Sequence, residues 1–284
     1  TMAVYIELRD KSFRSRADVQ SRLGVRVLAQ VPRFANTVQR NLDSDEPGNL
    51  MSPMLCTYHQ PGSLQSEAFR SLRTALLFNP QTTNLRVLQV TSPSPGDGAS
   101  TIAANLAISI AQLGRRVLLI DADLHRPQQH GLFDVTAEQG LASVITNGIS
   151  ASDAICETKV SGLSLLPAGP QHGSVSELFT SPQFKELLDS LRDEYDYVLL
   201  DTEPLLVVSD PCVIASQVDG VLLGLSPTKD SRWRAERASE ILATIGVQPI
   251  GAVINGVTGT AAWGFPTQRE FDHNVSKLPV SAQV

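Results

Sequence analysis

The sequence predicts an α/β domain with a mostly parallel sheet and helices on both faces. Short apolar runs at 87–90, 117–120, 164–166, 198–200, 221–225 and 250–254 read as buried strands. Segments with helical apolar spacing alternate with them, and a glycine-rich turn joins the first run to the helix behind it. At 284 residues, 42% hydrophobic and 18% charged, the chain suffices for one large domain of this kind plus appendages.

The turn is the centre of the reading. In LRVLQVTSPSPGDGASTIAANLAISIA, residues 85–111, a strand ends at Val90 and a helix carries Ile102, Leu106 and Ile110 on one stripe. Between them, Gly96 and Gly98 flank Asp97 and let backbone N–H groups curl around an anion at the positive end of the helix. With Ser100 and Thr101 following, this is the frame of a phosphate loop, which makes the expected fold P-loop NTPase-like. A full loop ends Gly-Lys-Ser/Thr, whereas here the sequence is Gly98-Ala99-Ser100-Thr101, so the frame is present without its cation. On this stretch alone, an ordinary tight strand-to-helix turn explains the glycines equally well.

Before the loop, 17–23 suits a short helix stopped by Gly24, and 25–31 suits a strand. Residues 33–62 are rich in Asn, Asp, Ser, Pro and Gly and read as a surface linker or mobile loop. LQSEAFRSLRTALLF follows as a helix with Leu64, Ala68, Leu72, Ala75 and Leu76 buried. On a neighbouring face Glu67, Arg70 and Arg73 fall three apart, a spacing that also describes a solvated face with one intrahelical ion pair.

After the loop helix, VLLID ends in Asp121, with Asp123 two residues on and on the same side of an extended strand end. Ligands of open parallel sheets sit beyond the carboxyl ends of strands, and two acids there are costly without a cation or proton. This favours a Mg²⁺ or general-base role over a strand end turning into solvent. The run at 197–201 ends in Asp201, the form of the strand-end aspartate that helps hold Mg²⁺ in phosphate loops. Helices are expected at 176–178, 182–191 and about 232–245. Beyond Thr258 periodicity is lost, so Trp263, Phe265 and Phe271 belong to a tail expected to be disordered or weakly packed.

Net charge is −6 with scattered Lys and Arg, which excludes a nucleic-acid-binding surface. The basic group at 9–26 also fits a juxtamembrane position. Cys56, Cys156 and Cys212 lack metal-ligand spacing and read as reduced packing residues of a cytosolic compartment. No run approaches the ~20 apolar residues of a membrane span.

Taken together, LLIDADLHRP, GLSLLPAGP and YDYVLLDTEP with SDPCVIASQVDGVLLG resemble the bacterial tyrosine kinases of capsule and exopolysaccharide synthesis, over about residues 16–257. By that resemblance Gly96, Asp97, Gly98, Ser100 and Thr101 bind ATP or ADP, and Ser100, Asp121 and Asp201 hold Mg²⁺. Asp123 orients the metal or accepts the tyrosine proton, as does Asp121. Glu67, Arg70 and Arg73 match the family's Glu-x-x-Arg-x-x-Arg oligomerisation motif, which implies a ring of copies phosphorylating one another. The resemblance divides the chain into an N-terminal juxtamembrane or interaction segment and linker (1–62), a kinase-like domain (63–257) and a tail (258–284). It implies the excised, soluble cytosolic domain of an inner-membrane co-polymerase, whose membrane-spanning part or activator is the partner.

Three positions depart from the family pattern. Ala99 stands at the loop lysine, His125 at the arginine of Asp-x-Asp-x-Arg, and Glu203 at a usual proline; the family's C-terminal tyrosine cluster is also absent. A well-placed cation contributes on the order of 10³–10⁵ to phosphoryl transfer. The chain is therefore expected to be a kinase impaired at Ala99 or a degenerate, nucleotide-binding scaffold. A partition-type ATPase is a weaker alternative, since such loops carry a further lysine where this chain has Ser94.

Overall fold

The computed structural model describes residues 12–13, 15–34, 51–170, 175–228 and 230–258. In chain order the elements are α1 (Arg16–Leu23), β1 (Val27–Pro32), α2 (Cys56–His59), α3 (Leu64–Leu77), β2 (Val87–Thr91) and α4 (Ala99–Ala111). Next come β3 (Val117–Asp121), α5 (Gln129–Phe133), α6 (Leu141–Asn147), α7 (Ala151–Ala154), β4 (Cys156–Glu157) and β5 (Leu163–Leu166). The remainder is α8 (Val175–Thr180), α9 (Pro182–Glu194), β6 (Tyr197–Asp201), α10 (Asp210–Ala215), β7 (Gly220–Leu225), α11 (Ser231–Thr244) and β8 (Gly251–Val257).

The strands form one sheet in the order β1-β8-β7-β2-β6-β3-β5-β4, parallel throughout except for the β4–β5 pair. Alternate residues of each strand feed opposite faces, which is why two-sided burial demands near-continuous apolar runs. On β3, Val117 and Leu119 join the core under α3 and α4, while Leu118 and Ile120 join the core packed by α6 and α9. A third cluster, with Val27, Val221, Leu223 and Ile254, lies under α1 and α11. The expected α/β architecture with helices on both faces is what the chain adopts.

Helix α4 occupies the middle of this arrangement. Eleven of its thirteen residues are buried, leaving only Ser100 and Thr101 partly open, so apolar residues fall on every side of it rather than in one stripe. Helix α3 packs beside it, capped by the Ser63 hydroxyl accepting from the Ser66 N–H. Leu64, Ala68, Leu72 and Leu76 are buried as expected; Ala75 is only half-buried, and Phe69, left out of the expected stripe, is completely enclosed.

Two expectations for the N-terminal part change. The strand β1, assigned to a segment 1–62 apart from 63–257, is hydrogen-bonded in parallel to β8 and so is an edge of the same sheet. Residues 51–62, read as linker from composition, contain α2 and bury Met51, Leu55 and Cys56. The anchor is Asn105 on α4, whose Oδ1 accepts the Thr57 N–H (3.0 Å) and the Cys56 thiol (3.3 Å). Its Nδ2 donates to the carbonyls of Met54 (3.0 Å) and Thr101 (2.9 Å). Burial pushes the Cys56 thiol up to about 11, consistent with an inert packing cysteine. The expected tail lies outside the described residues from 259 onward, and among the described residues no helix is long and apolar enough to cross a membrane.

Asn105→Ala removes the partners of one buried N–H and one buried carbonyl at once. A loss of about 1–3 kcal/mol in urea unfolding is expected; a change below about 0.5 kcal/mol would show that Asn105 does not anchor residues 54–57.

Candidate functional site

Strand β2 delivers the chain to the phosphate-loop segment, and α4 leaves from it. The loop closes on itself through the Ser94 N–H, which donates to Asp97 Oδ2 (2.9 Å), and the Asp97 N–H, which donates to the Ser94 carbonyl (3.3 Å). Gly96 and Gly98 hold φ of 85° and 91°, where an L side chain is strained. At Gly98 space is equally decisive: an added Cβ would lie 1.9 Å from Asn255 Nδ2, which itself donates to the Asp97 carbonyl (3.1 Å). Asn255, on β8, therefore pins the loop from two strands away, a role that no feature of the sequence announces.

A cavity of ≈ 650 Å³ opens over the loop. Gly96, Gly98, Ala99, Ser100 and Thr101 line it, together with Asp123, His125 and Glu203. Its volume suits a nucleotide-sized ligand, and the N-terminal N–H groups of a thirteen-residue helix face it with the positive end of the helix dipole. Asp97, expected to bind nucleotide, is itself buried and engaged within the loop; burial pushes its carboxyl up to about 6.

Asp121 and Asp201 are register partners at the ends of β3 and β6, both without solvent exposure. Asp121 Oδ2 accepts the N–H groups of Gln128 (3.0 Å) and Gln129 (2.9 Å), and Asp201 Oδ2 accepts Gln129 Nε2 (2.7 Å). The Oδ1 atom of each is buried with no partner. Burial drives the Asp201 carboxyl up to about 7, against the opposing pull of the Gln129 hydrogen bond and the nearby Ser100 hydroxyl. Burial, then the charge of Asp201, raises Asp121 as well. Two unpartnered carboxylate oxygens and the Ser100 hydroxyl form a hard oxygen donor set, which fits Mg²⁺.

Asp123 is held by the Arg126 N–H (2.7 Å) and lines the cavity. Gln129, which also donates to the Ser100 carbonyl (3.1 Å), was missed because a lone amide in a five-residue helix carries no sequence signal. A further cluster is new. His125 Nδ1 contacts Glu203 Oε1, which also accepts the His125 N–H (3.1 Å), and the carboxylate of Asp210 stands within reach of both. Burial raises the Glu203 carboxyl, and the hydrogen bond to Glu203 raises the His125 imidazole.

The charged triplet on α3 does not line the cavity. Glu67 pairs with Arg70 at 2.6 Å, and Arg70 also donates to the Pro61 carbonyl (2.8 Å). Arg73 donates to the Ser109 carbonyl on α4 (2.8 Å), so part of the triplet serves contacts within the chain.

The chain is similar to several known proteins. Residues 85–245 match a family model described as an AAA domain. The chain is 37% identical over 209 residues to the tyrosine-protein kinase YwqD of Bacillus subtilis, spanning 74% of this chain and 88% of that one. Among solved structures, it superposes on the BceF tyrosine kinase domain with a TM-score of 0.76 at 31% identity, covering 87% of this chain and 100% of that one. A septum site-determining protein MinD from Pyrococcus horikoshii shares the fold alone, with a TM-score of 0.51 at 22% identity over 64% of this chain and 78% of that one.

Asp201 binds its proton more tightly in the folded chain than in the unfolded one. Without metal, its contribution to stability is therefore full below about pH 4 and lost as pH rises through about 7. Asp201→Asn should unfold at a higher temperature than the parent at pH 8 and lose that advantage at pH 5. An advantage independent of pH would refute the buried charge.

Proposed function

The chain belongs to the bacterial tyrosine-protein kinase family, and from that membership we propose that it is a cytosolic kinase or kinase-like domain that regulates exopolysaccharide or capsule polymerisation and export. The single observation carrying the reading is the pair of unpartnered oxygens on Asp121 and Asp201 beside Ser100, at the start of the helix whose loop lines a nucleotide-sized cavity. In this reading Gly96, Gly98, Ser100 and Thr101 cradle the phosphates of ATP, the backbone N–H groups being aimed at charge that grows on the leaving phosphate. Ser100, Asp121 and Asp201 hold Mg²⁺, which neutralises phosphate charge when bound. Asp123 accepts the proton of a tyrosine hydroxyl as its oxygen bonds to the γ-phosphorus and the bond to ADP breaks.

Ala99 lowers the rate in this scheme, because no lysine ammonium reaches the β- and γ-phosphates. The acceptor tyrosine lies on another copy of the chain, and the domain works beside the membrane-spanning part of a co-polymerase or its activator. The coincidence of Ala99, His125 and Glu203 in one cavity also supports a second reading, a degenerate nucleotide-binding scaffold for polysaccharide assembly.

The two readings part on Ala99→Lys. If the alanine is the sole lesion, ATP turnover and phosphotyrosine formation rise together by about 10³-fold or more; if neither rises, the scaffold reading stands. For self-association, replacing both Arg70 and Arg73 by alanine should shift the sedimentation profile toward monomer. An unchanged profile in a folded variant would remove the triplet from the interface.

A further inference from the structure

Three buried carboxylate oxygens outside the nucleotide-metal set have no partner: Glu203 Oε2 and both oxygens of Asp210. Glu203 is 3% exposed and Asp210 1%, so neither carboxylate is relieved by bulk water. A carboxylate in such surroundings is strongly disfavoured unless a cation or proton accompanies it. One imidazole nitrogen of His125 and one oxygen from each acid lie within 4.8 Å of one another. The three come from separate places in the chain: the loop after β3, the residues after β6, and the first turn of α10.

We propose that His125, Glu203 and Asp210 bind one divalent transition-metal ion of the Zn²⁺ class on the wall of the nucleotide cavity, apart from Ser100, Asp121 and Asp201. The donor set decides the class of ion. Mg²⁺ takes oxygen ligands, whereas an imidazole with two carboxylates suits zinc and its first-row neighbours. Three protein ligands leave a fourth position, and because His125 and Glu203 line the cavity, that position opens toward it. A tetrahedral ion at about 2.0–2.1 Å from each ligand draws the donor atoms to roughly 3.3 Å from one another. His125, whose side chain is 48% exposed, is the arm free to close, while the two acids are fixed by burial. The hydrogen shared by His125 and Glu203 leaves to solvent as the ion enters.

The site fills the space between two of the sequence's departures from its family pattern, His125 and Glu203, which the fold brings into contact. It places a fixed dication on the wall of a nucleotide-sized cavity that Ala99 also lines without supplying charge.

The test uses the whole chain, stripped with chelator and titrated calorimetrically with ZnCl₂ in excess MgCl₂. One zinc ion per chain is expected, weakened about 10-fold or more in His125→Ala and in Asp210→Asn. His125→Ala removes a half-exposed side chain, so its unfolding midpoint verifies that the variant is folded. No zinc uptake by the parent chain overturns the proposal. Equal uptake by His125→Ala does so too, since the ion is then held elsewhere, for instance by cysteine. The readout uses neither nucleotide nor turnover, so its failure leaves the kinase reading untouched, and the failure of that reading leaves this one untouched.

Discussion

The structure depends on placing two carboxylates, Asp121 and Asp201, side by side in an interior with no exposure to water. Holding even one unpaired ion there costs several kcal/mol, so the surrounding chain is organised to offset it. The short helix α5 presents the N–H groups at 128 and 129 to one carboxylate and the Gln129 amide to the other. The same amide grips the Ser100 carbonyl, so the strand-end acids and the first turn of α4 are fixed relative to each other. What stays unsatisfied on each acid is an oxygen that only a cation or proton can complete.

The cavity lining is electrostatically mixed. Backbone N–H groups and a helix dipole suit anions, Arg33 and Arg126 add positive charge, and Asp123 and Glu203 add negative charge. A polyanionic ligand is drawn by the first groups and repelled by the acids unless cations enter with it. Position 99, an alanine, adds no charge to this lining.

Much of this was legible beforehand. The apolar runs located the strands because strands buried on both faces leave no room for polar residues, and the glycines at 96 and 98 located the loop because positive φ is restrictive. Asp121 and Asp201 were visible as acids ending apolar runs. The short elements α5, α6, α7 and β4 were not, since two to seven residues contain too few turns or alternations to show a period. The stretch before α3 misled by composition: Asn and Ser imply a loop on average, yet three hydrogen bonds to Asn105 seat it in the core. Nothing in the sequence joined Asp210 to His125 and Glu203, because three residues on separate segments meet only once the strands are in order.

The pairing of β1 with β8 joins residues 27–32 to 251–257, the two ends of the described chain. During synthesis at about 5–20 residues per second, β1 waits on the order of 10–45 s for β8, its one sheet partner among the described residues, to leave the ribosome. Over that interval its apolar residues Val27, Ala29 and Val31 have no sheet to cover them. The order of translation thus leaves the edge strand to dock late, and the nascent chain is open to mispairing with another copy until β8 emerges.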